Sequence, residues 1–132
     1  MIGQCNINRD ERGSAGFEVA LAIPILVCLM IGILQVAMVL QANGAMRNAL
    51  GEGLRLAKVD PTASETDVLS RTRGALVGVA PSAVDSLTFE RAVQNNADTG
   101  QITMTIQLRP VIPFAAIPSI ELTQSKKIYL PT

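Results

Sequence analysis

Histidine and tryptophan are absent from this 132-residue chain, and cysteine occurs only at Cys5 and Cys28. The common metal-ligand sets and nucleophile–base pairs therefore have little material to be built from. G-x-S-x-G, P-loop and dinucleotide-binding fingerprints are missing too. The carboxylates Asp85, Glu90 and Asp98 are scattered over turns and strands, with no pairing that could be argued for a cleft. The expectation is a protein that is not an enzyme and needs no cofactor, metal or small-molecule substrate. Aromatics make up only 3% of the chain, and its 11 basic and 11 acidic residues cancel. No basic patch interleaved with aromatics exists, so nucleic acid is not an expected partner. Cys5 precedes the apolar run, whereas a lipobox cysteine follows one, and Cys28 lies within the run. Neither can staple a soluble domain, which must stand on packing alone.

Charge is also missing from Val19 to Leu40, where Gln35 is the one strongly polar side chain. A helix here is hydrophobic on every face and about 33 Å long, the thickness of a bilayer's hydrocarbon core. Glu18 stands immediately before this run and Gly13 five residues before Glu18. Two readings of the carboxylate stay open. In one, Glu18 complements the positive end of the helix dipole at headgroup level. In the other, Gly13 and Ser14 form a prepilin-peptidase site: residues 1–13 are a leader, Ser14 becomes the N-terminus, and Glu18 is the fifth mature residue. Signal peptidase cleavage near Ala42 to Ala45 ranks lower, because the apolar run exceeds a usual signal core. Pro24 removes one backbone hydrogen bond within the run and is expected to kink or soften the helix.

Arg12-Gly13-Ser14, Phe17-Glu18-Val19-Ala20-Leu21 and Pro24 resemble the N-terminal signature of the TadE-like proteins of bacterial tight-adherence (Tad) pilus systems. Glu52-Gly53-Leu54-Arg55-Leu56-Ala57 is similar to a stretch further along the same family's helix. The resemblance implies a minor pilin or pseudopilin, a structural part of a pilus assembly or secretion machine that serves cell adhesion. It implies as partners the membrane, a prepilin peptidase, other pilins or pseudopilins and Tad assembly proteins. It also implies an inner-membrane, single-pass location with the C-terminal domain extracytoplasmic, or incorporation into a pilus. The flanking charges, Arg9 and Arg12 against Arg47, Arg55 and Lys58, leave the topology ambiguous. By the same resemblance, Glu18 would meet the α-amino group of Ser14 on a neighbouring subunit. The alternative is an uncleaved single-pass anchor carrying a binding or scaffold module.

After the transmembrane segment at 14–40, residues 41–132 read as one small α+β domain. The helix is expected to continue to Lys58, on the order of 63 Å in all, until Asp60-Pro61 breaks it. Ala45, Ala49, Gly53 and Ala57 place small side chains in one stripe, either a helix-contact stripe for a second subunit or part of the chain's own core. Met46, Leu50, Leu54 and Val59 form an adjacent apolar face. Ser64 is expected to cap a second, amphipathic helix of about four turns, with Val68, Leu69, Thr72, Leu76 and Val79 on one face. Alternation over Leu87 to Val93 and Ile102 to Leu108 predicts a hairpin, with Asn95 to Gly100 supplying its turn. Ile120, Leu122, Ile128 and Leu130 predict a third strand, broken or bulged around Gln124 to Lys127. The Val111 to Pro118 loop is either a contact surface or a lid that tucks Phe114 and Ile117 over the sheet. The fold class is thus α+β and pilin-like: a long N-terminal hydrophobic helix, a second helix and a three-stranded antiparallel sheet.

Overall fold

The computed structural model describes residues 11–110 and 116–131, with side chains from residue 15 onward. Cys5, the Ser14 side chain and Phe114 lie outside the described residues. Helix α1 spans Glu11–Val59 and α2 spans Glu65–Ala75. A short 3-10 turn at Pro81–Ala83 leads into strands β1 (Val84–Gln94), β2 (Ala97–Leu108) and β3 (Ile120–Tyr129). The strands form one antiparallel sheet in the order β1-β2-β3. This is the α+β arrangement of a long apolar helix, a second helix and a three-stranded sheet. The chain divides into two compact units, one ending at Leu34 and one beginning at Gln35.

The second unit is built around β2, whose Ile102, Met104 and Ile106 are fully buried. They meet Leu87 and Phe89 of β1 and a face of α1 made of Ala42, Met46, Ala49, Leu50, Leu54 and Ala57. The three- and four-residue spacing of that α1 face is what a half-buried helix requires. Val59, expected on this face, is 75% exposed, because the helix ends there and the chain turns away at Asp60. Asp60 accepts from the Thr62 hydroxyl (2.6 Å) and amide (2.9 Å), which shapes the turn into α2.

Ser64 caps α2 through a reciprocal box. Its Oγ accepts from the Asp67 amide, while the Asp67 carboxylate accepts from the Ser64 amide and hydroxyl. The helix is shorter than the expected four turns. It ends at Ala75, with Leu76 already extended and Gly78 at φ +80°, a left-handed conformation that closes the helical path. Val79 still packs against the core, but from the connection instead of from the helix.

The hairpin turn is tighter than Asn95 to Gly100. Gln94 pairs with Ala97, leaving only Asn95 and Asn96 between the strands, both at positive φ (53° and 61°). This is the geometry of a type I′ turn, whose twist matches the strands it joins. Ala97 to Gly100 therefore belong to β2. Strand β3 is continuous from Ile120 to Tyr129, without the expected break: its register with β2 runs unshifted from Leu108↔Ile120 to Thr99↔Tyr129. Gln124 and Lys126 occupy positions on the same face as Leu122 and Ile128. At an edge strand such inward polar residues are tolerated and discourage pairing with another chain. Ile117 is 43% exposed and so is not tucked over the sheet.

Candidate membrane helix and processing segment

Within the first unit, every side chain from Ala15 to Met30 is exposed, including Phe17 (67%) and Ile25 (71%). The helix is long and apolar enough to cross a membrane, and contiguous apolar surface on this scale marks a contact with lipid or with other protein. It is compatible with a single-pass membrane anchor. Glu18 is exposed at the start of the run and has no ion-pair partner among the described residues. Gly13 and Ser14 lie in the helical backbone of α1. Pro24 sits between exposed Ile23 and Ile25, with α-helix on both sides. Cys28 is a free, exposed thiol.

In the second unit, Ala49, Gly53 and Ala57 of the small-residue stripe are buried in the domain and Ala45 is half-buried. Gly53 explains the need for small side chains. A Cβ there would lie 1.9 Å from Thr72 Oγ1 and 2.9 Å from Ile102 Cδ1. Thr72 is fully buried, and its hydroxyl donates to the Val68 carbonyl at 2.8 Å. The glycine therefore lets α2 and β2 approach α1 together. A signal-peptidase cut near Ala42 to Ala45 would fall inside this packed part of α1, where Ala42 and Met46 are buried.

Sequence reasoning missed Arg91. Its Nη2 donates to the Ala63 carbonyl (2.8 Å) and its Nη1 to the Pro61 carbonyl (3.4 Å), while the guanidinium lies 5.6 Å from the Phe89 ring centroid. It thereby ties β1 to the turn between the helices. The signal was present as a charged residue on the apolar side of the Leu87, Phe89, Arg91, Val93 alternation. Glu52, part of the Glu52-to-Ala57 motif, has a structural role that the motif does not show. It accepts from Arg71 of α2 at 3.1 Å and lies 3.7 Å from Arg55, so it joins the two helices at the surface.

Among the described residues, two carboxylates are held below their ordinary range, Asp60 in the α1–α2 connection and Asp67 in the first turn of α2. The Thr62 side chain, followed by its amide, holds Asp60 below the usual carboxylate range. The Ser64 hydroxyl, followed by its amide, does the same for Asp67. In each case the donors stabilise the charged form, as expected of local caps. Among the described residues, no three His, Cys, Asp or Glu side chains gather as a metal site would need.

No curated protein and no solved structure matches this chain. Residues 13–55, from the glycine before Ser14 through the apolar run to the buried stripe, match the family model described as TadE-like protein. The stretch that carries the motifs around Gly13, Glu18 and Gly53 is thus similar to the TadE-like family, which suggests a Tad pilus-associated component.

Proposed function

We propose that this protein is a non-catalytic minor pilin or pseudopilin of a Tad-type assembly, cut by a prepilin peptidase between Gly13 and Ser14. In this reading it sits in the inner membrane with residues 41–132 extracytoplasmic and works with other pilins or pseudopilins and Tad assembly proteins. The observation that carries the reading is the segment matched to the TadE-like family. Its all-round apolar helix begins right after Glu18 and continues as the buried spine of a small domain. A plain anchor needs the helix and can use Glu18 against its dipole, but it has no use for a glycine five residues earlier.

Replacing Gly13 by a bulky residue, Gly13→Phe, tests processing in the native host. The expected outcome is accumulation of a precursor that retains Met1, whereas the unaltered protein begins at Ser14. N-terminal sequencing of the membrane fraction reads this directly. If the unaltered protein itself begins at Met1, the uncleaved single-pass anchor with a binding or scaffold module replaces the proposal.

A further inference from the structure

Where β2 ends, the second unit carries an open cavity of about 490 Å³ beside the first polar residue after the apolar run. Met38 and Gln41 of α1 form one wall, Gly78 and Ser82 of the α2–β1 connection another, and Gln107 and Arg109 a third. The connection lies close on the helix: a Cβ at Gly78 would fall 2.7 Å from Gln41 Nε2. Among the described residues, no acidic side chain lines the cavity. Asp85, which accepts from Gln107 Nε2 at 3.5 Å, stands outside the lining. Arg109 is exposed and has no ion-pair partner among the described residues. Beyond the paired strand ends Leu108 and Ile120, Ile117 leaves its side chain exposed.

The apolar run ends at Leu40, so a bilayer that holds residues 15–40 has its headgroup layer at Gln41. Met38, 54% exposed, then lies at the edge of the hydrocarbon, and Arg109 lines the same cavity as Met38 and Gln41. An unpaired guanidinium there matches phosphate oxygens in geometry as well as charge. Glutamine and serine side chains add hydrogen-bonding capacity. We propose that this cavity seats the phosphate headgroup of an anionic phospholipid. Arg109 pairs with the phosphate, Gln41 and Ser82 hydrogen-bond to it, and the acyl chains run past Met38. The inference rests on reading 15–40 as a membrane helix. The lipid is favoured over a second protein because the cavity adjoins the apolar run and its cation has no ion-pair partner among the described residues.

The test uses the full chain purified in detergent, titrated with phosphatidylglycerol or phosphatidylcholine and read by native mass spectrometry. Phosphatidylglycerol adducts should persist where phosphatidylcholine adducts do not. Arg109→Glu should weaken the phosphatidylglycerol adduct about tenfold, the loss of one charged hydrogen-bonding pair, and Arg109→Lys should retain most of it. Circular dichroism checks that both variants keep the native spectrum. Equal retention of the two lipids, or an unchanged adduct in Arg109→Glu, overturns the proposal. So does glycerol 3-phosphate binding as tightly as the lipid, which would make this a soluble-phosphate site, or a protein dimer that depends on Arg109. A Cys5→Ser protein in vesicles keeps the parent reading separate, because Cys28 is then the only thiol. Cys28 shielded from a water-soluble maleimide upholds the membrane helix whatever the lipid result. Cys28 freely labelled removes the membrane helix and the lipid site together.

Discussion

Gly53 and Gly44 lie in the same helix, yet a methyl group at each should act with opposite sign. At Gly44 nothing lies within 4 Å of a built Cβ, so Gly44→Ala should stabilise the fold by about 0.5–1 kcal/mol through backbone entropy alone. At Gly53 the same methyl meets Thr72, whose hydroxyl is already committed to the Val68 carbonyl and whose side chain has no free space. Overpacking there outweighs the helix-propensity gain, and Gly53→Ala should cost about 1–3 kcal/mol. Thermal unfolding of the detergent-solubilised chain measures both, and a stabilised Gly53→Ala would show that α2 moves away freely. Asp67 gives a prediction of pH dependence. Its ordinary value is 3.8 and the folded state lowers it, so the unfolded chain binds more protons as the medium is acidified. The stability from its capping contacts is present above the unfolded value and is lost as pH falls through the lower folded one. Asp67→Asn should therefore flatten the dependence of the unfolding midpoint on pH below about 4. An unchanged slope would mean that Asp60 or another carboxylate dominates.

At the scale of elements, the hairpin shows what was legible and what was not. The alternation from Leu87 to Val93 and from Ile102 to Leu108 revealed both strands, because the period of two is an imprint of one buried face, although towards the hairpin end Arg91 and Val93 are exposed. The turn between them is shorter than its composition suggests. Composition marks Asn95 to Gly100 as turn-like, while the strand register uses only Asn95 and Asn96 and takes the rest into β2. The break expected in β3 arose from reading Gln124 and Lys126 as non-strand residues, although an edge strand can carry polar side chains inward. Helix α2 ends sooner than its pattern suggests because Leu76 and Val79 continue the apolar spacing, and a face pattern does not reveal where φ changes sign. Ser64 and Asp60-Pro61 were legible because capping and proline chemistry act within a few residues. Arg91 was not, since its partners Pro61 and Ala63 are distant in sequence. The tight turn leads to a further test. Replacing both asparagines by alanine puts two Cβ-bearing residues without a local side-chain hydrogen bond into left-handed geometry, at about 1 kcal/mol each. The unfolding midpoint should fall by about 10 °C. Asn96→Gly, which suits the same geometry, should not lower it, and a drop with glycine would argue that the Asn96 side chain itself is needed.

At the scale of the whole molecule, the two units pose different physical problems. The second buries its apolar residues against one another and leaves polar groups to water. The first exposes apolar side chains on every side, and its stability in any setting depends on what surrounds it. That difference separates insertion from assembly. Insertion depends on the run from Val19 to Leu40, in which Glu18 takes no part, so Glu18→Ala should enter membranes normally. In the proposed role, cleavage after Gly13 depends chiefly on that glycine and should persist. Assembly is where a carboxylate matters. In the proposed pilin-like role, Glu18 meets the new α-amino group of Ser14 on a neighbouring subunit. Such a pair at 4 Å is worth about 1 kcal/mol in bulk water and several-fold more at the lower effective dielectric of a helical sheath. Leaving either charge unpaired in that setting is expensive, so the pair can select a correctly staggered neighbour. With Glu18→Ala expressed at native level and its N-terminus confirmed as Ser14, pili on the cell surface and the protein recovered in assembled complexes should both drop sharply. Glu18→Asp, which keeps the charge on a shorter side chain, should fall between the two. Normal pili and complexes in Glu18→Ala would reduce Glu18 to a helix-end carboxylate and transfer the weight of the functional reading to the anchored binding module.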